Sequence, residues 1–194
     1  MPAVTVPKTA LAFGAGYIYY APLATSLPSN TVVSSVFTDS WPSGWEPVGV
    51  TREGHEFTYN LETEAVEAAE YLDPLLTVST GRKTGMQFDL MQLHATNIRR
   101  MLNGGTLTTA GSGSTLLSTY TPPQIGEEVR CMIGWESTDN TERVVAEQTF
   151  QAGSLTISRK KGAANASLAG LSFMFEPNAD GDPFTYYSCG TVRG

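Results

Sequence analysis

The sequence predicts a mainly β fold: a β-sandwich flanked by one short α-helix, with long loops and an extended N-terminal arm over residues 1–14. Short runs rich in aromatic and β-branched residues alternate apolar with polar side chains, as half-buried strands do. Gly, Pro, Asn and Asp separate these runs and mark turns. Only one stretch has apolar residues at helical spacing. A length of 194 residues suits one sizeable core, so we expect residues 1–194 to form a single domain.

The first half of the chain contains six predicted strand segments. Residues 22–44 predict a long Pro-rich loop between the first and third of them, with room for one short strand. Gly81-Arg82-Lys83 predicts a hairpin turn. Residues 65–70, in the acidic fourth segment, also have the propensity for a helical turn. The segments are 15–21, 31–37, 45–51, 56–70, 75–80 and 84–93.

Residues 94–103 form the one predicted helix, and its apolar side chains are spaced for a single buried stripe. Two arginines near its C-terminal end suit the helix dipole. Asn103-Gly104-Gly105 ends the helix, because the cap position needs a residue that tolerates positive φ. Residues 104–123 follow as an uncharged Gly/Ser/Pro-rich loop. The stripe consists of Leu93, Ile98, Met101 and Leu102, and the arginines are Arg99 and Arg100.

The last third of the chain is predicted to consist of strands and turns. Ser137-Thr138-Asp139-Asn140 is a turn by composition and joins the first two strands. Cys131 shares an apolar strand face with Val129, Ile133 and Trp135, so we expect it to act as a small buried hydrophobic residue. The predicted strands are 127–136, 143–150, 154–160, 167–176 and 184–189.

The entire net charge of −7 lies in one segment of the chain. Residues 46–73 carry eight carboxylates and one cation, whereas the rest of the chain has eleven acids and eleven bases. Within this segment polar and apolar residues alternate, so Phe57, Tyr59 and Leu61 are expected to face a core. The opposite strand face then forms an acidic strip in water, which consists of Glu56, Thr58, Asn60, Glu62 and Glu64.

Composition narrows the classes of function. An acidic chain does not favour nucleic-acid binding, which relies on Lys and Arg, and the one basic run, Arg159-Lys160-Lys161, is typical of a hairpin tip. The sequence shows neither a signal-peptide pattern nor an apolar stretch long enough to span a membrane. Two cysteines do not make a disulfide framework, so a reducing compartment is expected.

No combination of residues predicts a catalytic, metal or cofactor site, so we expect neither enzyme activity nor a cofactor. His55 and His94 have no partners at metal-ligand spacing, which favours a surface or cap role. Residues 111–114 lack the strand–turn–helix context of a nucleophile elbow, and residues 81–85 lack the order of a phosphate loop. Residues 178–182 favour a polar turn over a Ca²⁺ loop, because no Glu supplies the last ligand.

One ordered series of motifs carries a family resemblance. It starts with Trp45-Glu46-Pro47-Val48-Gly49-Val50-Thr51-Arg52-Glu53-Gly54 and continues through the acidic strand. A strand at 86–93 then feeds into Ile98-Arg99-Arg100-Met101-Leu102-Asn103-Gly104-Gly105. This series resembles the major tail tube proteins of long, non-contractile-tailed bacteriophages, in which a Trp-x-Pro-x-Gly-x-Thr-x-x-Gly stretch opens the central sheet. Each piece alone is ordinary turn or cap chemistry; the order over residues 45–105 carries the resemblance, and residues 104–123 have no match in it.

The resemblance implies a tail-tube fold whose subunits form hexameric rings, with inner sheets joined into one barrel and rings stacked through the N-terminal arm and long loops. Residues 22–44 and 104–123 would become ordered on assembly. The implied partners are other copies of the chain, the tape-measure protein and transiting DNA in the lumen, and other tail proteins at the tube ends. The implied location is the virion tail, assembled in the host cytoplasm.

In such a tube we expect the acidic strip to line the bore, where carboxylates repel DNA phosphates over about 8 Å at physiological salt. Glu67 and Glu70 would then lie at contacts between rings. The plain alternative is that all these glutamates simply solvate an outer face.

Three other classes remain open from the sequence. Its tyrosines and tryptophans could serve a β-sandwich carbohydrate-binding or adhesion module, although they are scattered. A carboxylate-dependent hydrolase would need a positioned pair of acids rather than a strip. Another ring-forming phage protein, such as a tail terminator or a head decoration subunit, would also expose assembly surfaces.

Overall fold

A computed structural model describes residues 16–67, 73, 75–159 and 166–189. These residues are mainly β, as predicted, and form thirteen strands, one α-helix and one 3₁₀ turn. The predicted N-terminal arm at 1–14, Glu70, and Lys160-Lys161 of the basic run lie outside the described residues. The strands are β1 (Gly16–Pro22), β2 (Val32–Val33), β3 (Val36–Phe37), β4 (Glu46–Pro47), β5 (Thr51–Val66), β6 (Leu76–Leu90), β7 (Thr106–Ala110), β8 (Leu117–Thr121), β9 (Cys131–Ser137), β10 (Glu142–Gln151), β11 (Thr156–Arg159), β12 (Ala166–Phe175) and β13 (Thr185–Ser188).

The helix α1 (Ala95–Met101) lies where the sequence predicts one. His94 is its N-cap, and the His94 ring Nδ1 accepts a hydrogen bond from the Asn97 N–H at 3.4 Å. Asn103 follows with a φ of 55°, which confirms the predicted stop. Met101 of the predicted apolar stripe is fully buried in the main core, and the partly buried Leu93 and Ile98 pack against it.

Nine strands form one antiparallel sheet in the order β4-β1-β9-β10-β12-β6-β5, with β11 paired to β12 and β13 paired to β10. Two small hairpins, β2–β3 and β7–β8, lie outside it. The sheet curls until His55 of β5 meets Trp135 of β9, with ring centroids 4.8 Å apart. The terminal strand β5 therefore comes back against β9, and the sheet encloses one core, which is the predicted sandwich arrangement.

The main core lies inside this curl and against α1. Its rings include Phe88 and Phe173, which stack with centroids 5.8 Å apart. Cys131, Ile133 and Trp135 are buried in it as predicted, but Val129 is exposed because β9 starts only at Cys131. The buried members are Ile18, Val48, Met86, Phe88, Leu90, Met101, Cys131, Ile133, Trp135, Val144, Ala146, Leu171, Phe173 and Phe175.

A second, smaller core covers the opposite face of β1, β9 and β10. Residues 22–44 fold back over this face, where Trp41 stacks on Tyr19 at 4.4 Å between ring centroids and meets Trp45 at 4.7 Å. Phe37 of the same segment is buried. Contacts within the chain therefore hold much of this loop, which the sequence led us to assign to partner contacts.

The predicted hairpin turn at Gly81-Arg82-Lys83 is wrong, because β6 runs through it without a break. A β-bulge lies there instead: the register shifts where the pair of Glu62 with Gly81 gives way to the pair of Thr63 with Ser79. A Gly inside a strand often marks such a bulge rather than a turn. The strand predicted at 56–70 ends at Val66, and β6 begins at Leu76, before the predicted turn.

Two other predicted boundaries also change. Residues 104–123 are more than a loop, since β7 and β8 pair there around a 3₁₀ turn, Gly113–Thr115. The strand predicted at 45–51 is interrupted after Pro47, where Gly49 takes a φ of +115° that L-residues rarely adopt. This break lets Val48 turn into the main core while its N–H donates to the Ile18 carbonyl at 2.9 Å.

Candidate functional site

The strand register places the five residues of the acidic strip on one face of the sheet. Strand β5 has no extra residue between positions 56 and 64, so its side chains alternate without interruption. Glu56 lies opposite Gln87, and Asn60 lies opposite Lys83. All five strip residues are exposed. The shared face is therefore as predicted, and it is the face turned away from the main core.

The strip is acidic but not uniformly so. Lys83, across the ladder on the same face, donates to the Glu62 carboxylate at 2.5 Å, and this hydrogen bond raises the pKa of the Lys83 ammonium. Glu56 and Glu64 make no ion pair with any described residue. Three carboxylates and one ammonium leave a net negative face.

The other face of β5 does not face a core as predicted. Phe57 contacts Phe175 and Phe184, with ring centroids 5.9 and 4.9 Å apart, but Tyr59 and Leu61 are 53% and 45% exposed. The side chains alternate as the sequence predicts. Among the described residues, however, no layer covers Tyr59 and Leu61. The reason is length: β5 and β6 extend beyond their neighbour β12, whose last pair with β6 joins Met174 to Gly85.

Beyond that pair, residues 59–66 of β5 and 76–84 of β6 form a two-stranded ribbon, which we call the hairpin arm. Eight residues of strand extend about 27 Å. Large apolar side chains are exposed on it, and the outer edge of β5 pairs with no strand among the described residues. The exposed apolar residues on or next to the arm are Tyr59, Leu61, Val66, Leu75, Leu76 and Val78.

Such a ribbon is marginal on its own in water, and an open apolar edge strand invites pairing with another chain. The arm is joined to the body at a few points, one of them the Arg82 guanidinium, which donates to the Gly181 carbonyl at 3.3 Å. An arm of this kind is a surface built for a partner rather than a catalytic pocket.

A cleft of about 370 Å³ lies between the end of β1, helix α1 and the start of β9. We call it the arginine cleft, because Arg99, Arg100 and Arg130 line it together with Glu46. Arg100 pairs with Glu46 and lies 5.4 Å from the centre of the Tyr20 ring. Arg130 makes two bonds to Glu176, at 2.6 and 3.1 Å, and they lower the pKa of the Glu176 carboxyl. The sequence predicted the first two arginines only as helix-end cations.

A buried ion pair that the sequence does not predict joins Arg143 to Glu136. Arg143 is 1% exposed, and its guanidinium lies 2.7 Å from the Glu136 carboxylate. It also donates to the carbonyls of Ser29 at 3.1 Å and Asp39 at 2.5 Å, so it ties the loop at 22–44 to the sheet. The available signal was a pair of opposite charges flanking the predicted turn at 137–140; the burial could not be read from it.

The remaining candidate groups have structural roles. Burial lowers the pKa of His55, which packs on Trp135, and burial raises the pKa of the Cys131 thiol to about 12. Asn178 forms the predicted polar turn, with its Oδ1 accepting from the N–H groups of Asp180 and Asp182. Among the described residues no group of three or more His, Cys, Asp and Glu side chains could hold a metal ion. None of the described helices is both long and apolar enough to cross a membrane.

Fold and surface together define a β protein whose most conspicuous exposed feature is an arm. The sequence profile of a family described as phage tail tube protein matches residues 7–187 of the 194-residue chain. The chain therefore belongs to the phage tail tube protein family, as the motifs at 45–105 predicted. No curated protein matches it.

Membership makes the chain a structural component of a phage tail, carried in the virion, that assembles with itself and with other tail components. The family is a structural one, in agreement with the expectation that the chain is not an enzyme. The aromatic cluster does not favour carbohydrate binding, because the ring of Trp41 is stacked on Tyr19 and its N–H donates to Glu136 at 2.7 Å.

Proposed function

We propose that the chain forms hexameric rings that stack into a tail tube, and that this tube conducts DNA into the host. The observation that carries the proposal is the hairpin arm, which exposes apolar side chains and an edge of β5 that is unpaired among the described residues. Pairing that edge with a neighbouring copy removes it from solvent, and a sheet closed around a ring has no edges left. Family membership supplies the kind of assembly.

The acidic strip lines the bore of this tube. Its side chains leave the sheet on the face opposite the main core, and within the strip only Glu62 has a cationic partner among the described residues. A wall of this kind repels phosphate at short range, and its cation Lys83 is already paired with Glu62, so DNA slides past it. The tape-measure protein occupies the same lumen before ejection, and other tail proteins close the tube ends. Assembly takes place in the host cytoplasm.

Electron microscopy of the concentrated protein tests the assembly. We expect rods with an axial channel that fills with negative stain, built of rings with six-fold symmetry. Particles without a channel, or a density map with residues 56–64 on the outermost surface, would contradict the proposal.

The bore is tested separately with Glu56→Lys combined with Glu64→Lys, since neither carboxylate has an ion-pair partner among the described residues. We expect the variant to assemble into tubes, to retain DNA in a salt-sensitive manner and to slow genome ejection. The matched control is Glu53→Lys combined with Asp180→Lys, which changes the net charge equally at exposed positions outside the strip. Ejection at the wild-type rate in tubes of the first variant would exclude the strip from the bore.

A further inference from the structure

We propose that the arginine cleft receives the end of the hairpin arm of a second copy of this chain, so that an acidic apolar tip enters a basic apolar socket. This inference rests on the proposed function, because it names the contact by which copies join.

The cleft retains hydrogen-bonding capacity for an anion. Three guanidiniums and one carboxylate, Glu46, leave two positive charges among the lining residues, and the pairing of Arg130 with Glu176 balances one of them. Each guanidinium carries five N–H donors. Arg99 is exposed and donates only through Nε, to the Gly105 carbonyl at 3.1 Å. Arg100 and Arg130 each use part of their donors on Glu46 and Glu176, and the remaining N–H groups can reach an incoming carboxylate.

Apolar surface also lines the cleft, which a purely ionic contact would not need. Tyr20 and Pro22 form part of its wall, and Val129 beside them is 56% exposed. Ile125, four residues before Val129, is fully exposed. Exposed apolar groups clustered beside arginines are typical of interface centres.

The end of the arm has the complementary character. From residue 63 to residue 80 the sequence has four acids and neither Lys nor Arg. Glu67, directly after β5, and Asp73, three residues before β6, are exposed. Val66, Leu75 and Leu76 are exposed next to them. Carboxylates and apolar side chains therefore occur together at the tip, in the combination that the cleft accommodates.

The chain itself supplies this occupant, since every copy carries one tip and one cleft. A contact between two different patches is heterologous, and such contacts build rings or continuous stacks rather than closed dimers. This is the geometry that a tube requires.

Two sets of variants test the contact on the full chain. The first neutralises one side: Arg99→Ala with Arg130→Ala in the cleft, or Glu67→Ala with Asp73→Ala on the arm. We expect each to raise the protein concentration needed for assembly by about ten-fold or more, because the partner charges lose their counterparts on binding. Matched controls with the same change in net charge are Arg52→Glu for the cleft and Asp180→Lys for the arm; both positions are exposed, and we expect wild-type assembly.

The second set reverses both sides. Arg99→Glu with Arg130→Glu, and Glu67→Lys with Asp73→Lys, should each abolish assembly at wild-type concentrations. All four substitutions in one chain restore the net charge and should restore assembly. Because Arg130→Glu places a second carboxylate beside Glu176, thermal unfolding of each variant is measured alongside, and Arg99→Glu alone serves as the milder cleft variant.

Sedimentation velocity and electron microscopy give the readout. Rescue by the combined reversal supports the contact. Normal assembly of the neutralised cleft variants would overturn the proposed contact. Loss of assembly in the cleft variants together with normal assembly in the arm variants would also overturn it, because another segment would then occupy the cleft. A wild-type chain that stays monomeric at every concentration would instead overturn the proposed function, and this contact with it.

Discussion

Removing the buried cation Arg143 is the sharpest test of how the loop at 22–44 is held. In Arg143→Met a flexible apolar side chain replaces the guanidinium, and Glu136 stays buried without its partner. Breaking a buried ion pair from one side costs about 3–5 kcal/mol, because the remaining charge is uncompensated. For a chain of this size each kcal/mol lowers the unfolding midpoint by about 2–4 °C, so we expect a drop of about 6–20 °C.

Besides the loss of global stability, we expect a local loss of order in the loop at 22–44. The Ser29 and Asp39 carbonyls lose their donor, and the Phe37 ring loses a cation 4.6 Å from its centre. Residues 29–39 should therefore lose amide protection even under conditions in which the rest of the sheet stays folded.

The assays are thermal and urea unfolding of the unassembled chain, both followed by tryptophan fluorescence, with hydrogen exchange for the loop. Adding Glu136→Gln to Arg143→Met removes the unpaired buried charge of Glu136 and should recover most of the lost stability. Arg130→Met serves as the comparison, because the pair of Arg130 with Glu176 is exposed and should contribute far less. A loss below about 1 kcal/mol in Arg143→Met, or no recovery in the double variant, would refute the argument that this charge is paired in a dry site.

Three further predictions concern the cores. Burial raises the pKa of the Cys131 thiol to about 12. In a Cys189→Ser background, Cys131 should therefore resist disulfide reagents at pH 8 and react only in denaturant. Rapid reaction of the folded chain would contradict its burial. Burial lowers the pKa of His55 below 6.5, so the unfolded chain binds its proton first as pH falls. The stability that neutral His55 contributes is therefore complete above pH 6.5 and is lost as the pH falls below it. In His55→Phe the urea midpoint should decline less between pH 7.5 and pH 5.5 than in the wild type. An unchanged slope would assign the decline to other groups. Gly134→Ala would place a methyl group 2.3 Å from the Trp41 ring, so we expect a loss of about 1–3 kcal/mol and an altered near-ultraviolet circular dichroism spectrum, whereas wild-type values would mean that the ring moves freely.

Features encoded over a few residues were predictable from the sequence. The helix and its stop at Asn103 follow from apolar spacing and from a cap that tolerates positive φ. The turn after Ser137 follows from its composition, and the buried face with Cys131 and Trp135 follows from alternation.

Features that depend on distant partners were not predictable in this way. The sequence predicts a turn at Gly81, but Gly occurs both in turns and in bulges. Only the pairing of β6 with β5 decides between the two. Tyr59 and Leu61 were assigned to a core because alternation shows which side chains share a face and not what covers that face. Arg143 bonds to loop residues more than a hundred positions away, and its burial leaves no local signature.

In the candidate site, too, local features were predictable from the sequence and features that depend on distant partners were not. That Glu56, Thr58, Asn60, Glu62 and Glu64 share one face was predictable from the period of a strand, and the register agrees. The pairing of Glu62 with Lys83 depends on register and was missed. Their place along a bore stays a prediction, since it is a property of several chains and not of one.

The pairing of β1 with β9 has a consequence for synthesis. β1 bonds to residues 131–137, and no earlier segment takes that place in the sheet. During translation β1 can form only its two-residue pairing with β4 until two thirds of the chain has been synthesised, while the long ribbon of β5 and β6 emerges with its apolar side chains uncovered. Sheets closed by such distant pairing form slowly, and the nascent chain is open to aggregation in the interval. We therefore expect the nascent subunit to be most prone to aggregation before β9 has been synthesised.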